Sequence, residues 1–591
     1  MLSRVIFLVC CILMSDLVTA SKPLSILVIQ NIPLPSHHVW TEYLVKGLLR
    51  KGHHVHAVST HETKVKGKLA QNLTYAVFDD LMQTYDESED HNPAEWENNS
   101  TLYMIYLLYQ FYINACDTLI KTKTAKELLE MTKSVEFDVI VQDISISHCF
   151  YGLWESINQP SEVPITDLYP IAALLFGAVG AQRNIQVVAR LPGCLCTRSK
   201  WRFIHITQAA KGKPPIVGYV LYSLAPWLKD YVGGPSYPTV RTNPASIAKP
   251  EGLWLRTWNA LYFIMDDLIR YYYYFPIIQR LTEEYVGHAM KPLHEIEKDR
   301  INIVLINSHP AFEPAIPLPP NTLEIAGLNA QAVQPIAGEI VVTYSEDVRV
   351  FLDEAKNGAI VISLGTNVKW KDVGLDKIKI VILALSKLKQ RVLWKLDIDV
   401  PFEIPNNVMV VKWMPQSEVL SHKNVRAIWT HGGLLSTQEA IWKGIPVIVM
   451  PFFMDQRPNA RILVAKGVGI HLDIKTLSAQ SILHAVEEVL YNDSYTRNMK
   501  QLSSEFRDRP IPPLDLAVWS IEYTVRHPNG TLVTPLRSQS WVEQNLIDVY
   551  AFLFFNFFII LLSIFFVIKL FINFCYNYMY TASNLRKSKQ A

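Results

Sequence analysis

The chain runs to 591 residues, 50% of them apolar and 19% charged, with a net charge of +2. That length exceeds what one hydrophobic core organises and suits two domains with accessory segments. The near balance of acids and bases gives no reason to invoke a nucleic-acid partner.

Residues 1–20 combine Arg4, an apolar run from Val5 to Met14, and Val18-Thr19-Ala20 before Ser21. This is the layout of a cleavable secretory signal, so the mature chain is expected to begin near Ser21. Leu24 to Gln30 reads as an apolar strand, Asn31 to Pro35 as a loop, and about His37 to Arg50 as a helix that Gly52 stops. Val55 to Val58 follows as a strand and completes a βαβ unit. Phe137 to Val141 and Ile303 to Asn307 are further buried-type strands. Between Trp201 and Pro276 the pattern degrades into aromatic and proline-rich segments, including Val217 to Val232 and Tyr271 to Phe275. Two readings stand for this stretch: loops of a binding pocket with a surface that touches a membrane, or packed helices of the lobe.

Pro310 to Pro320 leads out of the first lobe. Beyond it Ala359 to Ser363, Val392 to Trp394, Val408 to Val411, Ala427 to Thr430 and Val447 to Met450 are strands separated by helical stretches, a second parallel sheet. Helices are expected from about Ala479 to Tyr491 and from Leu514 to Arg526. The run from Val549 to Ile568, between Asp548 and Lys569, carries no charge and is long enough to span a bilayer, with Asn556 and Ser563 tolerated at small cost. Lys569, Arg586, Lys587 and Lys589 lie beyond it, so the positive-inside tendency puts the tail in the cytosol and the bulk of the protein across the membrane. The closing Lys587-Ser588-Lys589-Gln590-Ala591 resembles a dilysine retrieval signal of the endoplasmic reticulum; the alternative is a generic basic stop-transfer tail. Sequons at Asn72, Asn98, Asn99, Asn492 and Asn529 fit a lumenal chain, with Asn98 and Asn99 too close for both to be used. Cys10 and Cys11 leave with the signal and Cys575 lies in or beyond the anchor. The remaining Cys116, Cys149, Cys194 and Cys196 set neither a disulfide framework nor a zinc spacing, and their pairing stays open.

The densest chemistry lies between Trp413 and Gln456. Ala427 to Thr430 is a short apolar strand, His431-Gly432-Gly433 a tight turn, and Leu434 to Lys443 a helix that ends at Gly444. A helix N-terminus reached through glycines presents free N–H groups and a positive dipole end, which suits a phosphate. His431 at its mouth adds a donor, with Ser436 in the first turn. Glu439, about two helical turns beyond His431, can accept hydrogen bonds from both hydroxyls of a ribose. Asp455 and Gln456 sit on the loop after the next strand, an acid beside an amide, as the reading of sugar hydroxyls requires. Upstream, Trp413 offers a flat ring to a base and Gln416 a donor and an acceptor to its edge. An ordinary turn between strand and helix is the plainer reading of Gly432-Gly433 alone; the whole set together argues against it.

This constellation resembles the donor-binding signature of the UDP-glycosyltransferases, membrane-anchored animal type, which join sugars from UDP-sugars to small lipophilic acceptors. The match is close over about forty-five residues, and the layout is similar over almost the whole chain. The resemblance implies an α/β fold of GT-B type, with two Rossmann-like lobes facing across a cleft, the last helices returning onto the first lobe, and a single C-terminal transmembrane helix. The expected divisions are 1–20 signal, 21–305 acceptor-binding lobe, 306–510 UDP-sugar lobe, 511–547 returning helix and juxtamembrane segment, 548–570 membrane helix and 571–591 cytosolic tail. It also implies a UDP-sugar as donor co-substrate, with no metal and no permanently bound cofactor. A homo-oligomer is left open.

Inverting transfer needs a base to take the acceptor hydroxyl's proton, and a histidine oriented by a carboxylate suits neutral pH. Ser36-His37-His38 follows the first strand, where the family carries its base, and counting back from Gly52 selects His37. The family's carboxylate partner follows the strand matched by Phe137 to Val141, and Asp143 falls there. His37 could otherwise cap the helix and Asp143 be a loop acid. Ser363, in Ser363-Leu364-Gly365-Thr366 after its strand, looks like a second phosphate-facing loop. Two departures from vertebrate members stand out: Leu435 replaces a residue that is often polar, and Asn329 replaces a histidine common after Gly327-Leu328. A metal reading of His37, His38, His53, His54 and His56 fails because the last three alternate faces about the start of a strand. A nicotinamide-dependent oxidoreductase would want Gly-x-Gly-x-x-Gly after the first strand, where residues 31–36 read Asn-Ile-Pro-Leu-Pro-Ser. The other alternative is a silent family member that sequesters lipophilic ligands.

Overall fold

The computed structural model describes residues 22–78, 100–145, 147–157, 213–222, 226–243, 251–331 and 344–588. The expected signal, Asn98, Asn99, Cys194 and Cys196 lie outside them. The described chain divides into two compact units, Met1–Val533 and Thr534–Ala591.

The first unit holds two wholly parallel sheets. One has the order β3-β2-β1-β4-β5-β6-β7, from β1 (Ser25–Ile29), β2 (His54–Ser59), β3 (Leu73–Val77), β4 (Val139–Asp143), β5 (Ile216–Val220), β6 (Ile301–Ile306) and β7 (Thr322–Glu324). The other has the order β10-β9-β8-β11-β12-β13, from β8 (Ala359–Ser363), β9 (Arg391–Lys395), β10 (Val408–Val411), β11 (Val425–Thr430), β12 (Val447–Val449) and β13 (Gly469–His471). The central strands are unbroken apolar runs because both faces are covered. Leu27 and Ile29 of β1 enter one core cluster while Ile26 and Val28 enter another. Val361 and Ile360 of β8 divide in the same way between the two clusters of the second sheet.

Each sheet reverses its strand order once, at β1/β4 and at β8/β11. The crevice outside the carboxyl ends of such neighbours is where open parallel sheets bind ligands, since the flanking connections there run in opposite directions. His37, Asp143, Ser363 and His431 stand at or just past these four strand ends, while Trp413 and Gln416 follow β10 and Asp455 and Gln456 follow β12.

Several elements differ from expectation. The stretch from Val217 begins inside β5, a fully buried strand between β4 and β6, which the surrounding prolines and aromatics disguise. Tyr271 to Phe275 lies in continuous helix from Gly252 to Val286, in which Arg270–Tyr274 forms a π-helical turn. Here the plainer reading, packed helix, describes the backbone. Arg270 is 1% exposed and paired with Glu297 and Asp230, so a buried cation interrupts the apolar pattern. The last strand of the first sheet, β7, lies beyond the expected lobe boundary at residue 305. Cys116 and Cys149 form a disulfide, joining the Thr101–Lys121 helix to the segment after β4.

The Pro513–Arg526 helix returns onto the Pro35–Arg50 helix: Leu514 Cδ1 lies 2.5 Å from where a Cβ on Gly47 would stand. His53 Nε2, 3.0 Å from Glu522 Oε1, ties the same two segments. In the second unit, a 36-residue span, Ile547–Ala582, is long and apolar enough to cross a membrane.

Candidate active site

At the end of β1 the chain turns, and Pro35 begins the next helix at its first turn, where a missing N–H costs nothing. This sets His37 one residue beyond Ser36 in that first turn. His37 is 4% exposed, and its Nδ1 stands 2.6 Å from Oδ2 of Asp143, the fully buried last residue of β4. The other carboxylate oxygen accepts the Ser145 backbone N–H at 3.0 Å. With Nδ1–H donating a hydrogen bond to the Asp143 carboxylate, the lone pair of His37 lies on Nε2. The neighbouring His38 is already engaged, with Nδ1 2.9 Å from Ser59 Oγ. Burial lowers its pKa to about 4, against the pull of Glu42.

Ser363 closes β8 in register with Thr430 of β11, and His431 follows. The imidazole of His431 fills the space between two glycine turns. A Cβ on Gly365, whose φ is +74°, or on Gly433 would come within 2.4 Å of the ring. Burial, reinforced by Lys395, lowers the His431 pKa to about 3, so the ring is neutral. Lys395, at the end of β9, donates to the Gly365 carbonyl at 2.6 Å. The sequence reading passed over it: a single lysine closing an apolar strand gives no signal until β9 is known to neighbour β8.

The Leu434–Lys443 helix starts at Gly433. Its Leu434 N–H donates to Asp455 Oδ2 at 3.1 Å, and Asn459 Nδ2 donates to the same oxygen at 3.1 Å. Burial raises the Asp455 pKa to about 6 against these bonds. Gln456 Oε1 accepts the Phe452 and Phe453 N–H groups at 2.9 and 3.3 Å. The expected sugar readers therefore also hold their own loop in shape.

Gln416 Nε2 donates to Ser436 Oγ at 3.0 Å and to Glu439 Oε2 at 2.7 Å, while Asn329 Nδ2 donates to Glu439 Oε1 at 3.1 Å. Burial in the cavity wall raises the Glu439 pKa to about 7, the two amides opposing it. Trp413 is half-exposed, with the Lys64 ammonium 3.8 Å above its ring centroid.

His37 and every expected donor-side residue, Ser363, Trp413, Gln416, His431, Gly433, Ser436, Glu439, Asp455 and Gln456, line one cavity of about 1700 Å³. Asp143 stands behind His37, outside the lining. The same cavity is also lined by Met104, Leu108, Phe111 and Tyr112 from the Thr101–Lys121 helix and by Trp227. Among the described residues, no three His, Cys, Asp or Glu side chains are grouped as metal ligands. Asn492 and Asn529 are exposed and Asn72 is half-buried.

The family described as UDP-glucoronosyl and UDP-glucosyl transferase matches residues 255–586. UDP-glycosyltransferase UGT5 of Dactylopius coccus is 32% identical over 369 residues, 62% of this chain and 68% of that protein. UDP-glucuronosyltransferase 2B17 of Mus musculus is 35% identical over 251 residues, 42% of this chain and 46% of its own length. The crystal structure of glycosyltransferase VinC in complex with dTDP superposes with a TM-score of 0.51 at 12% identity, over 85% of this chain and 99% of that one. That likeness speaks to the fold, the GT-B pair of Rossmann-like lobes.

Proposed function

Because this chain belongs to the UDP-glucoronosyl and UDP-glucosyl transferase family, we propose that it moves a hexosyl or hexuronosyl group from a UDP-sugar, with inversion, to small lipophilic acceptors. Phenols, steroids and plant or other xenobiotic compounds fit the acceptor class, and detoxification fits the role. The observation that carries this reading is the His37–Asp143 pair opening on the same cavity as the donor cluster.

His37 Nε2 takes the acceptor hydroxyl's proton while that oxygen bonds to the anomeric carbon. The bond from that carbon to the diphosphate oxygen breaks, and UDP leaves with the electron pair. Asp143 holds the Nδ1 tautomer and offsets the charge of the imidazolium that forms. On the donor side Ser363, neutral His431, the Gly433 helix N-terminus with Ser436, and the Lys395 ammonium receive the developing charge. Trp413 and Gln416 take the uracil, Glu439 the ribose, and Asp455 with Gln456 the sugar hydroxyls. The apolar wall from Met104 to Tyr112 favours a lipophilic acceptor beside His37.

The proposed setting is the endoplasmic reticulum membrane, single-pass and type I, with residues 21–305 and 306–510 as lumenal lobes, 548–570 as the anchor and a cytosolic dilysine-like tail. The test is transfer from labelled UDP-glucose and UDP-glucuronate to a phenol. His37→Ala is expected to lower kcat by about 10²–10⁴ while the UDP dissociation constant stays within about twofold. Undiminished turnover by that variant overturns the dyad assignment.

A further inference from the structure

Among the described residues that line the cavity, two carry a buried side-chain atom with no hydrogen-bond partner, Trp370 Nε1 and Asn329 Oδ1, and of these only Asn329 is bonded to a residue assigned to the nucleotide. Asn329 is 2% exposed and lines the cavity, and its Oδ1 accepts no hydrogen bond. Its Nδ2 is committed to Glu439 Oε1. The amide cannot be turned over to relieve the orphan, because its oxygen would then face a carboxylate oxygen, acceptor against acceptor. Nor is the backbone free to move it. Gly327, at φ +85°, has its open face against Trp442 and Phe506, its N–H donates to Gln438 Oε1 at 3.0 Å, and its carbonyl accepts from Ala330 and Gln331 at 3.0 Å each. Gln438 and Glu439 are consecutive on the Leu434–Lys443 helix, so the turn bearing Asn329 is clasped to the helix bearing Glu439.

A strut for Glu439 would account for Nδ2 and leave Oδ1, a buried acceptor without a donor, unexplained. The proposed function supplies a donor at that point. We propose that Asn329 is a ribose-binding residue, its Oδ1 accepting a hydrogen bond from a hydroxyl of the donor nucleotide's ribose beside Glu439. The inference rests on the reading of Glu439 as the ribose contact and adds a second group to it. A vicinal diol then meets an acceptor pair, the carboxylate and the amide oxygen, held side by side by the Asn329 to Glu439 bond. Asn329 also lies just past β7, on the segment that leads out of the first sheet, so the nucleoside site draws on the connection between lobes as well as on the second lobe.

Calorimetric titration of the full-length, detergent-solubilised protein with UDP, 2′-deoxy-UDP and 3′-deoxy-UDP tests it. The wild type is expected to bind one deoxy ligand about tenfold more weakly than UDP, the worth of one good buried hydrogen bond. In Asn329→Ala and in the near-isosteric Asn329→Leu, each checked by thermal melting, UDP binding weakens about tenfold, and the penalty for that missing hydroxyl shrinks at least about threefold. Wild-type discrimination persisting in a folded variant overturns the assignment and leaves Asn329 a strut. Equal binding of all three nucleotides by the wild type overturns it without any variant. A wild type that binds no UDP overturns the glycosyltransferase reading itself, a distinguishable result.

Discussion

Glu439 works against its own environment. To accept hydrogen bonds from both ribose hydroxyls, as proposed, its carboxylate must be ionised, yet burial raises its pKa from 4.5 to about 7. The folded state therefore holds the proton more tightly than the unfolded chain does. The associated stability is fully present below pH 4.5 and is lost as the pH rises through about 7. With Glu439 at the ribose as proposed, UDP binding runs the other way, because the hydroxyls favour the charged form. Between pH 8 and pH 6 the affinity for UDP is expected to fall several-fold, and Glu439→Gln should flatten that profile while raising the melting temperature at pH 8. A titration series in which the Gln variant keeps the wild-type pH slope removes Glu439 from the ribose site. His431 makes a sterically sharper case. An imidazole filling the gap between Gly365 and Gly433 cannot withdraw as a flexible chain would, so Gly365→Ala must displace the ring or the loop and also strain a φ of +74°. UDP binding is expected to weaken by at least about tenfold, with the Pro35–Arg50 helix and its His37 unaffected, as protection of that helix in hydrogen exchange would report.

At the scale of elements, the Thr101–Lys121 helix joins two jobs, since it lends apolar side chains to the cavity lining and carries Cys116 of the disulfide to Cys149. Cys149 lies six residues past Asp143. Cys116→Ser is therefore expected to raise the acceptor KM and lower the apparent Tm, with about 2–5 kcal/mol lost, while UDP affinity, built on the other sheet, stays within about twofold. Equal damage to acceptor and UDP binding would mean that the lobes do not divide the labour. Much of this architecture was legible beforehand. β1, β4 and β8 are built on runs of Val, Ile and Leu, β11 on a largely apolar run broken by Arg426, and each leads to an expected site residue at its carboxyl end. What stayed hidden has physical reasons. β5 contains Gly218, whose missing side chain makes room for Ile144 Cδ1, so its apolar run looked like loop. The helix from Gly252 passes through the buried ion cluster of Arg270, Asp230 and Glu297, which no hydrophobic period contains. Asn329 and Lys395 each needed a spatial neighbour, Glu439 and Gly365, that only the folded chain supplies.

For the whole molecule, the proposed lumenal sidedness agrees with chemistry at separate points of the chain. A disulfide between Cys116 and Cys149 persists in an oxidising lumen and is reduced in the cytosol. Exposed sequons at Asn492 and Asn529 can be glycosylated only on that same lumenal side. Asn492 already caps the Asp493–Arg507 helix through Oδ1, at 3.1 Å from the Ser494 N–H, and its Nδ2 donates to Glu488 at 2.6 Å. A glycan on that nitrogen replaces the bond to Glu488 but spares the cap, so the site loses little by modification. Asn72, half-buried at the end of a short 3₁₀ turn before β3, offers less access. Expression in microsomes is therefore expected to give a protein whose mobility shifts on glycosidase treatment, with Asn492→Gln and Asn529→Gln each removing one step and Asn72→Gln removing less than a full step. The lobes should resist protease added outside sealed vesicles, while a tag at Ala591 is cut. A glycan-free protein with protected tail and digested lobes would reverse the orientation and, with it, the compartment in which a UDP-sugar must be supplied.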